Sequence, residues 1–111
     1  MDKKSSIDII STKDYRQKRL DKTQARKLVT EITNRFPTNI RYSAHALEEL
    51  KKDNLTTSDV LNIIKSADAK IIKEPDFEKG SYRYRLETQR IVVVVSFDSP
   101  TSFVVITAWR K

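Results

Sequence analysis

The chain has no cysteine, one glycine, three prolines, one tryptophan and one histidine in 111 residues. Without cysteine there is no disulfide framework, no thiolate zinc site and no cysteine nucleophile, which removes several enzyme classes. There is no glycine-rich phosphate loop, no H-E-x-x-H, no second histidine for zinc and no clustered aspartate for magnesium. The longest apolar run, Ile91-Val92-Val93-Val94-Val95, is five residues, far short of the ~20 that a membrane helix needs. The N-terminal residues carry no apolar signal core. These absences lead us to expect a cytoplasmic protein with no membrane association, no metal and no cofactor.

What is abundant is positive charge. Twenty-two Lys and Arg stand against fifteen Asp and Glu, a formal net charge of +7. Such a balance favours a polyanionic partner. Residues 1–38 hold ten of the basic side chains and five of the acidic, so the excess lies in the N-terminal third. A chain of this length forms one domain and buries roughly two-thirds of its unfolded surface, enough for a core without staples.

Residues 1–22 have few apolar positions and no helical stripe, and are expected to form a basic arm or frayed helix ahead of a single domain over 23–111. Ala25, Leu28, Val29, Ile32 and Phe36 follow the rhythm of one helix face and predict a helix over 23–36, stopped by Pro37. Ser43 is suited to N-cap a second helix through about Lys52. Thr56-Thr57-Ser58-Asp59 fits a capping box and starts a third, to about Ser66. Beyond Ala69 the pattern turns to short β-rich runs at 70–73, 81–87, 91–97 and 103–110, with turn-prone links between them. The expected fold is therefore α+β, with N-terminal helices packed on a four-stranded antiparallel meander.

His45 is the one side chain whose ordinary pKa allows proton exchange near neutrality. At ~100° per residue, Ala46, Leu47 and Leu50 form the apolar stripe of its helix, and His45 falls on the polar side with Glu48, Glu49 and Lys52. It is a candidate acid or base; the plain alternative is a solvated helix residue. In Ser81-Tyr82-Arg83-Tyr84-Arg85-Leu86-Glu87, alternation puts Arg83 and Arg85 on one sheet face. Planar guanidinium groups suit phosphate because each donates in parallel to two oxygens. A solvated face with cross-strand ion pairs gives the same pattern. Phe103, Val105, Thr107 and Trp109 are expected to share a face, and Thr107 and Arg110 would lie near any site formed if their strand neighbours the Arg83 strand or the His45 helix. Arg16, Lys18, Arg19, Arg26, Lys27, Arg41, Arg90 and Arg110 are candidate nucleic-acid contacts through phosphate neutralisation.

Metal-free RNA cleavage needs a base for the 2′-hydroxyl, a cation at the phosphorane and an acid for the leaving oxygen. His45 with Arg83, Arg85 or a nearby Glu could supply these. The competing reading is a non-catalytic basic module that binds nucleic acid or an acidic protein.

Tyr42-Ser43-Ala44-His45-Ala46-Leu47-Glu48-Glu49-Leu50, the Thr56-Thr57-Ser58-Asp59-Val60 segment, the Arg83 strand and the closing Ile106-Thr107-Ala108-Trp109 resemble the bacterial family catalogued as domain of unknown function 4258. The resemblance covers about residues 40–110. It differs at Glu49 and Leu50, where members commonly have Arg or Met, and at Asp53-Asn54, where they commonly have Arg-Gly. The family is grouped with the barnase, colicin and RelE-like ribonuclease toxins. The resemblance implies RNA cleavage in a toxin–antitoxin or phage-defence setting, with RNA, free or on the ribosome, as substrate and an acidic antitoxin or immunity protein as partner. It marks His45, Arg83 and Thr107, with Trp109 structural.

Overall fold

Side-chain caps begin the three helices that follow residue 21, and each satisfies amide donors that the first helical turn leaves without partners. Asp21 and Gln24 form a reciprocal capping box that starts α1 (Lys22–Arg35). Ser43 accepts the Ala46 amide at 2.9 Å to start α2 (Ala44–Lys52). Thr56 and Asp59 cap α3 (Thr57–Lys65) reciprocally, as the capping-box pattern predicts. Pro37 ends α1 in a single 3₁₀ turn. Asn54 turns the chain between α2 and α3 at φ 57°, a left-handed angle that asparagine tolerates.

The computed structural model describes residues 15–111. Of the expected arm, residues 1–14 lie outside the described residues. Residues 15–20 pack on the domain: Tyr15 meets Phe97 edge to face and Leu20 is buried. The Tyr84 hydroxyl accepts the Leu20 amide at 2.9 Å and donates to the Lys18 carbonyl.

The strands are β1 (Ile40–Tyr42), β2 (Asp76–Glu78), β3 (Ser81–Glu87), β4 (Ile91–Ser99) and β5 (Ser102–Arg110). They form one mixed sheet in the order β1-β5-β4-β3-β2, with β1 parallel to β5 and the other pairs antiparallel. This corrects the expected four antiparallel strands in two places. Ile40–Tyr42 is too short for an alternation signal, and pairs with β5 only because the chain returns there. The run at 70–73 makes a single bridge, Lys70 to Glu87, and the outer strand instead forms at 76–78. There Lys79 (φ 49°) and Gly80 (φ 81°) make the two-residue turn with positive φ at both positions that joins antiparallel strands tightly. The chain's only glycine sits where that turn requires it.

The core lies on one side of the sheet. Tyr84, Leu86, Val93, Val95, Phe97, Phe103, Val105 and Ala108 meet Val29, Ile32, Ala46, Leu50, Val60 and Ile64 from the helices. Full burial of each larger apolar side chain contributes about 1.5–3 kcal/mol. Leu47, expected on the apolar stripe, is 48% exposed, because Ala46 and Leu50 alone make the inward contact of this short helix.

One irregularity changes what the other side presents. Val95 pairs with Val105 and Val94 with Thr107, so Ile106 is an extra residue in β5. A one-residue bulge reverses the facing of everything after it. Phe103 and Val105 therefore point to the helices, whereas Thr107 and Trp109 point away, which corrects the expectation that all four share a face. The Ser43 hydroxyl donates to the Ile106 carbonyl at 2.7 Å, and the Ser43 amide to the Val105 carbonyl at 3.0 Å. At the far end of α2, Asp53 accepts the Arg110 amide at 2.8 Å. Both ends of α2 are thus tied along β5.

Ser43→Ala removes a helix cap and leaves the Ile106 carbonyl without its partner, and should cost about 2 kcal/mol in urea unfolding. Bonds from the Thr56 amide and then its hydroxyl lower the Asp59 pKa below the ordinary carboxyl value. That contribution is complete above the unfolded value of about 4 and is lost as pH falls through the depressed folded value. Asp59→Asn should flatten the acid limb of the stability profile and leave its neutral limb with the same slope.

Candidate nucleic-acid interface

The face of the sheet turned away from the described helices carries Arg83, Arg85 and Thr107. Register sets Arg85, Val94 and Thr107 side by side across β3, β4 and β5, and Glu87, Val92 and Trp109 in the next row. Arg41 of β1 lies opposite Val104, which lies opposite Ser96. Asp76 of β2 lies opposite Arg83. None of these residues belongs to the core cluster on the helix side.

Arg83 is the most unusual of them. Its side chain is 20% exposed, and its one ion pair, to the open carboxylate of Glu78, is long at 3.6 Å. Its Nε is buried and has no hydrogen-bond partner among the described residues. Buried polar groups in folded proteins are almost always paired, so this unpartnered donor sets Arg83 apart from the other described cations. Arg85 reaches across β4 and lies 5.4 Å from the centre of the Trp109 ring.

His45 stands on the first turn of α2, the helix that is tied to β5 through Ser43 and Asp53. Its side chain is 63% exposed, with Nε2 3.9 Å from Glu49 Oε1, which also meets Lys52 Nζ at 3.7 Å. In Ser43-Ala44-His45-Ala46 the serine caps and clips and the second alanine is fully buried, whereas the imidazole faces water. Arg83, Arg85 and Thr107 are brought to one face; His45 is exposed on α2, and its side chain's one polar contact among the described residues is with Glu49.

The other basic candidates are scattered. Arg16 and Arg41 both meet Asp98, whose irregular pairing in β4 frees its carboxylate. Arg19 meets Glu74, and Lys18 lies over the Tyr15 ring. Arg26 donates to the carbonyls of Ala69, Ile64 and Ser66 at 2.9–3.0 Å, closing the end of α3. Burial lowers its pKa below the ordinary value, and these carbonyls replace the lost hydration. Lys27 is exposed on α1. Arg90 and Arg110 line an open cleft of about 810 Å³ with Asp59, Lys70 and Glu87. No catalytic candidate lines that cleft, and Arg110 also binds the Asp53 carbonyl through Nε. Sequence reasoning missed Asp98 as an anchor and Trp109 as the partner of Arg85. Both depend on strand irregularities that leave no local signal.

Among the described residues there is no group of three or more His, Cys, Asp or Glu placed to hold a metal ion, and no helix long and apolar enough to cross a membrane. Fold and site together define a small α+β domain whose sheet is backed by helices on one side and cationic on the other. The profile of the family described as Domain of unknown function (DUF4258) matches residues 42–110, and the chain belongs to that family. No curated protein and no solved structure matches it.

Arg26→Lys keeps the charge but cannot fork to three carbonyls. It should lower stability by about 1–2 kcal/mol, read as a drop in the thermal midpoint.

Proposed function

We propose that the protein is a metal-independent ribonuclease of bacterial toxin type that takes RNA on the helix-free sheet face. The observation that carries this reading is Arg83, whose side chain is four-fifths buried, whose Nε has no partner and whose single ion pair among the described residues is a long one to exposed Glu78. A phosphodiester suits it, because two phosphate oxygens match two parallel N–H donors. Arg85 and Thr107 lie on the same face, and His45 is exposed on the helix tied to β5. Helices packed on one side of a single, mostly antiparallel sheet are in keeping with the barnase, colicin and RelE-like grouping that the sequence resemblance implies.

In this scheme the 2′-oxygen attacks phosphorus, the 5′-oxygen leaves with a proton, and a 2′,3′-cyclic phosphate remains. His45 takes the proton from the first oxygen or supplies it to the second. Arg83 and Arg85 hold the charge that develops on the phosphorane. Nothing in this cycle requires a metal. An acidic antitoxin or immunity protein would neutralise the activity by occupying the same cationic face, and the substrate is free RNA or RNA on the ribosome.

The test is incubation of the purified chain with cellular RNA in EDTA, followed by mapping of the ends. Cyclic or 3′-phosphate termini are expected. His45→Ala should slow cleavage by roughly 10²–10⁴-fold and Arg83→Ala by roughly 10²–10³-fold, with unfolding curves near wild type. Equal cleavage by both variants sinks the mechanism. RNA retention that weakens steeply with salt and survives His45→Ala, with no product, favours the non-catalytic binding module.

A further inference from the structure

Arg85 and Trp109 are not neighbours in the sheet. They lie two strands and one row apart, with backbones separated by roughly 12 Å on ordinary strand spacings. The arginine crosses β4 to put its Cζ 5.4 Å from the indole centre. Beneath that path, Val92 and Val94 are only 3% and 7% exposed although neither belongs to the core cluster on the helix side. The aliphatic stem shields the valines and the guanidinium covers the ring. Among the described residues Arg85 has no ion pair and no hydrogen bond, so the aromatic face alone holds its charged end. A contact of that kind is weak and exchangeable at a surface.

We propose that Trp109 is a base-stacking platform and that Arg85 occupies it in the absence of RNA. The guanidinium is planar and lies where the flat face of a nucleobase would lie. Bases stack on aromatic side chains with little regard to identity, because every base has a π-face. When a base arrives, Arg85 swings off the indole towards the adjoining phosphate. The exchange keeps the valines covered and replaces a cation–ring contact by a base–ring contact and a phosphate–arginine contact. This rests on the RNA reading above and adds a binding site for one unpaired base beside Thr107. It therefore assigns single-stranded rather than duplex RNA to this face.

Trp109 is the only tryptophan in the chain, so intrinsic fluorescence reports on this position alone. The full chain is titrated with a labelled single-stranded 2′-O-methyl oligoribonucleotide, which lacks the attacking hydroxyl, and with an abasic oligomer of the same length. Label anisotropy follows binding. The base-bearing oligomer is expected to quench Trp109 and shield it from acrylamide, and the abasic one to bind without doing either. Trp109→Leu should weaken base-bearing binding by about tenfold and leave abasic binding unchanged. Arg85→Ala should keep the base-dependent quench and weaken the abasic oligomer. Binding that leaves Trp109 emission and acrylamide access unaltered, or identical changes with both oligomers, overturns the stacking platform and leaves the ribonuclease reading standing. No binding by either oligomer overturns both.

Discussion

The Ser43 hydroxyl bond to the Ile106 carbonyl is the contact around which the functional side of the molecule is organised. The same oxygen accepts the Ala46 amide, so it ends β1, starts α2 and holds the bulge of β5. Because of that bulge, Thr107 and Trp109 leave the core and join Arg83 and Arg85. Because β1 stops at Tyr42, the rest of the β5 edge is flanked by α2 instead of another strand, with His45 exposed on that helix. Asp53 at the other end of α2 holds the Arg110 amide and prevents the helix from drifting along the strand.

The net charge of +7 is by itself a poor guide to the site. Most cations that look available in the sequence are engaged inside the domain. Arg26 is held by three carbonyls, Arg16 and Arg41 share Asp98, Arg19 and Lys22 share Glu74, and Arg110 is held by Asp53. Each of these contacts joins segments distant in sequence and helps to seat α1, α3 or the chain ends on the sheet. Arg83 and Arg85 differ: one has an unpartnered donor and the other rests on an aromatic ring. Which cations serve the fold and which face a ligand is decided by where the carbonyls and carboxylates fall in space.

Local chemistry was legible in the residues. Ser43 and the Thr56–Asp59 pair announced two helix starts, Pro37 a stop, and the apolar spacing from Ala25 a helix. Alternation from Ser81 to Glu87 put both arginines on one face, and helical spacing put His45 on the wet side of α2. All of these are set within four or five residues by backbone donors, side-chain reach and periodicity. The three-residue β1 and β2 were missed because strands so short carry no period, and Leu47 was misplaced because a nine-residue helix meets the sheet along a narrow line.

By itself, then, the sequence determined the helices, the longer strands, the α+β class and the facing of Arg83, Arg85 and His45, because each depends on neighbours along the chain. Tertiary structure alone decided the five-strand order, the parallel pairing of β1, the reversal of β5 at Ile106 and the meeting of Arg85 with Trp109. Those outcomes rest on hydrogen bonds and contacts between residues that are far apart in the chain. A one-residue bulge changes which way a strand faces without changing its composition or its propensity for β structure.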